Sequence, residues 1–147
     1  MDSAYAFRVL TIQSLHSASE GIAIGVAALI NVGFGLFAAF AFAVHNVAEA
    51  GVLSAVLRGQ GASAMQAAAL GVFTNVGQVL LAVVTVAVVT SAPASMPWVT
   101  GFAVGALVHL VLIELLPEAY RDAGAASTAL VTSLAMGVVI LSAGLLG

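Results

Sequence analysis

Hydrophobic residues fill this chain in five long runs, broken only where glycine, proline or one of a few charges intervenes. The runs cover about residues 9–30, 34–57, 65–90, 98–116 and 127–146. Each holds about 20 residues or more, and at about 1.5 Å per residue each can cross roughly 30 Å of hydrocarbon. Open strands in lipid would leave backbone N–H and C=O groups unpaired, so the runs read as helices. The breaks are short: Asn31-Val32-Gly33, Arg58-Gly59-Gln60-Gly61, Ser91-Ala92-Pro93-Ala94-Ser95-Met96-Pro97 and Arg121-Asp122-Ala123-Gly124. Asparagine and glycine tolerate the left-handed backbone that stops a helix, and short links make successive helices antiparallel neighbours. The pattern predicts an all-α integral membrane protein, a single domain of five transmembrane helices over residues 1–147.

Within the apolar runs the polar positions fall into two matching sets. His16-Ser17-Ala18-Ser19-Glu20-Gly21 lies in the first run and His45-Asn46-Val47-Ala48-Glu49-Ala50 in the second. Each puts His and Glu four residues apart, which on a helix stacks them on one face, about 40° apart around the axis. The first run leads away from the side where the second returns, so the two faces can meet at one depth. A charged side chain at mid-membrane costs about 2.5–3.5 kcal/mol on insertion scales, and two buried carboxylates repel unless protonated. A divalent cation removes both problems, and imidazole with carboxylate suits zinc, iron or manganese. Ser17 and Asn46 would add neutral oxygen ligands. The competing structural reading is a neutral hydrogen-bonded His–Glu pair linking helices. Two copies of one pattern on consecutive helices favour ion binding or passage instead.

Composition and charge agree. The 147 residues are 63% hydrophobic and 6% charged, with a mean hydropathy of +1.21, where soluble domains carry roughly 25% charged residues. There is no cysteine, so disulfides and thiolate metal sites are excluded. The formal net charge of −3, with no basic patch, gives nucleic acid nothing to bind. The first residues, with Asp2 and only Arg8, lack the basic start of a cleaved leader. Arg8, Arg58 and Arg121 all fall on one side of five antiparallel spans, which the positive-inside rule makes cytoplasmic. The N-terminus is expected inside and the C-terminus outside, in the cell (inner) membrane. Gly21–Gly25 and Gly101–Gly105 fit the small-xxx-small spacing of close helix contacts.

These motifs resemble the Zrt/Irt-like (ZIP) family of divalent metal transporters. Residues from Leu15 to Gly25 are similar to that family's fourth transmembrane helix, and His45-Asn46-Val47-Ala48-Glu49-Ala50 to its fifth. Glu114-Leu115-Leu116-Pro117-Glu118-Ala119 is similar to the end of its seventh. The resemblance covers essentially the whole chain as family helices four to eight, and the family's cytoplasmic start of helix four agrees with the arginines. It implies a binuclear or mononuclear metal site with His16, Ser17 and Glu20 from one motif and His45, Asn46 and Glu49 from the other. Relatives with two metals use a sixth-helix glutamate whose counterpart here is Gln78, so one metal is expected. Asn75 and Gln78 share a helix face at i, i+3, and either line the ion path, with Gln78 a further candidate for the metal site, or bond between helices. Glu114 is a candidate for a secondary site near the cytoplasmic mouth, although its usual His or Asp neighbour is Ile113. His109, about 140° around the helix from Glu114, need not share a ligand with it. Glu118, Arg121 and Asp122 read as a solvated helix end, with Pro117 kinking or ending the span.

The expected function is transport of a divalent cation toward the cytoplasm, Zn²⁺ first, with Fe²⁺ and Mn²⁺ as alternatives. The ion is substrate; no organic cofactor is expected. The family's first three helices, inverted-repeat partners of its last three, have no counterpart in these 147 residues. Transport would therefore draw on a homo-oligomer or on those missing helices. The alternative is a metal-binding membrane subunit, or a truncated transporter, without transport on its own. No His-Glu-x-x-His motif occurs, and no enzymatic activity is expected.

Overall fold

The computed structural model describes residues 3–146. Among the described residues every regular element is helical: α1 (Ser3–Ile30), α2 (Val32–Gly59), α3 (Ala64–Thr74), α4 (Val76–Ser91), α5 (Met96–Leu110) and α6 (Leu116–Leu146). A 3₁₀ turn at Pro93–Ser95 leads into α5, and a π-helical turn at Val111–Leu115 joins α5 to α6. The chain forms two compact units, Met1–Ala103 and Val104–Gly147.

In the first unit α1 and α2 make a hairpin with one residue between them. Asn31 has extended backbone, and its side-chain oxygen accepts from the Phe34 N–H at 3.1 Å, capping α2. A Cβ at Gly35 would stand 2.5 Å from the Ala28 Cα, so glycine lets the two backbones close at the turn. Ser63 opens α3 with a reciprocal cap: its hydroxyl accepts from the Gln66 N–H, and the Gln66 side chain accepts from the Ser63 N–H.

The third apolar run is bent at Asn75. The Thr74 hydroxyl and the Asn75 amide both donate to the Gly71 carbonyl, at 2.8 and 3.0 Å, while the Asn75 N–H turns to the Val72 carbonyl. Side chains thus take the acceptor that the helical ladder would use, and the helix breaks there. Beyond the break α4 lies along α1. A Cβ at Gly21 would stand 2.1 Å from the Gln78 carbonyl oxygen, and one at Gly25 2.8 Å from that of Ala82. Near the start of α1, Ala6, Leu53, Leu57 and Ala67 form an apolar core flanked by Val9, Leu10 and Leu70.

Polarity is inverted relative to a soluble protein. Of the four largest fully buried side chains, Glu20, Thr74 and Ser17 are polar and only Leu57 is apolar. Phe40, Val44, Val47, Leu80 and Val83 stand exposed, which suits contact with lipid tails rather than water. Four helical stretches among the described residues are long and apolar enough to cross a membrane: Val32–Gly59, Ala64–Ser91, Pro93–Ile113 and Leu116–Ser142. The 28-residue α1 is long enough, but Gln13, Ser14, His16, Ser17, Ser19 and Glu20 lower its hydropathy. Its polar face meets α2 and α4 instead of lipid. The chain is an integral membrane protein of the all-α class.

In the second unit the expected loop at 121–124 is a kink within α6, where Gly124 takes φ 77° and ψ 163°. The Thr128 hydroxyl bridges it, donating to the Gly124 and Ala119 carbonyls at 2.9 and 3.1 Å. The π-helical turn ends two residues before Pro117. Proline offers no N–H and crowds the carbonyl four residues back, and the widened turn absorbs that conflict without ending the helix.

Candidate metal site

The His–Glu spacing places one candidate ligand pair per helix, and the hairpin at Asn31 brings the pairs face to face. His16 and Glu20 come from α1, His45 and Glu49 from α2. One ligand atom from each lies within 4.8 Å of the others. His16 Nε2 is 3.3 Å from Glu20 Oε1 and 3.1 Å from Glu49 Oε1. His45 Nε2 is 3.6 and 2.9 Å from the same two oxygens. The imidazole rings are tilted, with centroids 6.1 Å apart. The Glu20 side chain is 1% exposed and that of His45 39%, so the cluster is sealed at one side and open at the other. The buried His16 Nε2 has no hydrogen-bond partner although two carboxylate oxygens face it. A buried nitrogen aimed at two oxygens in this way fits a set of donors around a cation.

A layer of hydroxyl and amide side chains backs the cluster. Gln78, from the first turn of α4, donates its amide to Glu20 Oε2 at 3.1 Å. Gln13, one turn before Ser17 on α1, donates to Glu49 Oε2. Asn46 lies 2.8 Å from the Gln78 amide oxygen. With its own amide turned over, it reaches Glu20 Oε2 and the Phe42 carbonyl at 3.2 Å. Ser17, fully buried, directs its hydroxyl toward the Asn75 amide oxygen at 3.5 Å. The structure therefore gathers His16, Glu20, His45 and Glu49 at the centre and sets Ser17, Asn46, Asn75 and Gln78 in the layer behind. Gln13 is the residue the sequence reading passed over. Its partner is 36 positions away, and only the α1–α2 register pairs them. The Glu114 side chain lies outside the described residues. His109 is exposed at the end of α5, and Arg121 pairs with Asp122 at 3.7 Å on the surface.

The model of the ZIP zinc transporter family matches residues 4–144. The chain belongs to that family. It is 34% identical over 130 residues to a protein of Arabidopsis thaliana named as a candidate zinc transporter, covering 87% of this chain and 21% of the relative. It is 33% identical over 109 residues to the zinc transporter GufA of Myxococcus xanthus, covering 74% of this chain and 43% of the relative. The chain thus spans about a fifth of one relative's length and under half of the other's. No solved structure matches it. As a ZIP family member it belongs among membrane proteins of metal transport.

Proposed function

We propose that the His16–Glu20–His45–Glu49 cluster is the ion-binding station of a transporter that passes a divalent cation toward the cytoplasm. Zn²⁺ is the proposed substrate, with Fe²⁺ and Mn²⁺ as alternatives. The carrying observation is the meeting of two imidazole nitrogens and two carboxylate oxygens within 4.8 Å inside an apolar helical frame. Two carboxylates balance the charge of a divalent ion, and the four donors replace water that the ion sheds on entering. Zinc accepts such nitrogen and oxygen donors in a four-coordinate shell. Protons compete for the same atoms, so affinity falls as the medium becomes more acidic. Arg8 and Arg58, at the start of α1 and the end of α2, support a cytoplasmic position for that end of the hairpin.

Flux of radioactive zinc into vesicles containing the purified protein tests this reading. Glu20→Ala and His45→Ala are expected to abolish metal-dependent uptake while keeping the helical content of the parent. Uptake unchanged in both would remove the cluster from the transport path.

A second reading rests on the fraction of the relatives' length that the chain covers. In it the chain binds the ion as a membrane subunit, and transport needs further helices or a second copy. Purified protein that binds zinc but gives no flux in the same vesicles would favour this reading.

A further inference from the structure

The two site carboxylates are held in the same unusual way. Glu20 and Glu49 each turn Oε1 toward both imidazoles. Each also turns Oε2 outward to a glutamine amide: Gln78 holds Glu20 from α4, and Gln13 holds Glu49 from α1. Gln78 is itself buried, 8% exposed, and its helix is fixed against α1 by the close approach at Gly21. An amide N–H on one carboxylate oxygen opposes rotation of the group, occupies one of that oxygen's two lone pairs and so competes with a second metal contact there.

We propose that Gln13 and Gln78 are paired positioning residues that limit each carboxylate to one metal contact and so set a four-coordinate site for a single ion. Gln78 then acts through Glu20 and is not itself a ligand. The consequence is selectivity by coordination number. Zinc is satisfied by two nitrogens and two oxygens, whereas magnesium prefers six oxygen ligands and calcium six to eight. Freed carboxylates that swing to bidentate binding would raise the oxygen count and relax that preference. This inference rests on the cluster being the metal site.

Cobalt(II) is the probe, because four-coordinate Co²⁺ absorbs visible light far more strongly than six-coordinate Co²⁺. The purified protein in detergent is expected to bind one Co²⁺ per chain with the intense four-coordinate band. Gln13→Leu and Gln78→Leu are expected to weaken that band and to lower affinity about 10–100-fold, the range for removing a residue that orients a ligand. Gln78→Glu keeps the size of the side chain while removing its amide donor, and is expected to lose the band as well. Helical content of each variant is checked alongside. A folded variant that keeps the parent's spectrum and affinity would overturn the positioning role and leave the metal site standing. A parent spectrum of the weak six-coordinate type would do the same. A parent that binds no Co²⁺ would instead overturn the site reading on which the inference rests.

Discussion

Glu20 holds a carboxylate at 1% exposure between two imidazoles, and Glu49 turns an oxygen into the same space. Two like charges in a desolvated cluster oppose one another, and a bound cation relieves them. Glu20→Gln keeps the shape of the side chain and removes one of those charges. Its unfolding temperature in metal-free detergent is expected to equal or exceed that of the parent. Zinc at 100 times its dissociation constant stabilises a binding protein by about 2.7 kcal/mol, and the variant is expected to lose that gain. Thermal unfolding with and without zinc measures both. An equal gain in the variant would place the ion elsewhere.

At this scale the His/Glu cluster was legible, because a His and a Glu four residues apart share a helix face whatever the rest of the fold does. Ser17 and Asn46, expected to add oxygen ligands, have Asn75 and Gln78 as neighbours from the third apolar run. No spacing within one helix encodes such partners; the bend at Asn75 and the register of α4 on α1 create them. Gln13 was hidden for the same reason.

Among the elements, the glycines separate what a motif suggests from what packing uses. Gly21–Gly25 and Gly101–Gly105 have identical spacing. A Cβ at Gly21 would collide with the α4 backbone, whereas one at Gly101 or Gly105 would meet open space. Gly21→Ala is expected to destabilise the protein by about 1–3 kcal/mol, as overpacking does, and to weaken zinc binding by moving Gln78. Gly101→Ala is expected to stay within about 0.5 kcal/mol of the parent. Unfolding in detergent compares the two, and equal behaviour would contradict the α1–α4 packing. The boundaries follow similar logic. The helix entered at Ser3 although the apolar run begins near residue 9, because an exposed Arg8 is tolerated in its first turns. The break read at 121–124 is a glycine kink, since one residue at positive φ suffices to turn a helix that resumes beyond it.

For the whole molecule, composition settled the class early: 6% charged residues leave too little polar surface for a water-soluble fold. Hydropathy alone misses the part played by α1, the helix with the polar face. Its apolar-to-polar balance reflects burial against α2 and α4, so the least lipid-like helix carries half of the His/Glu cluster. The family match over residues 4–144 places the chain in the ZIP zinc transporter family. The fraction of the relatives' length covered makes ion binding and ion movement separable questions for this chain.

X-ray absorption of zinc bound to the purified protein addresses the binding question directly. The expected spectrum shows two imidazole nitrogens and two carboxylate oxygens at about 2.0–2.2 Å, one zinc per chain. It is expected to disappear in the His16→Ala, His45→Ala double variant. A zinc shell without imidazole, or one that survives that double substitution, would contradict the assignment of the ion to the α1–α2 cluster.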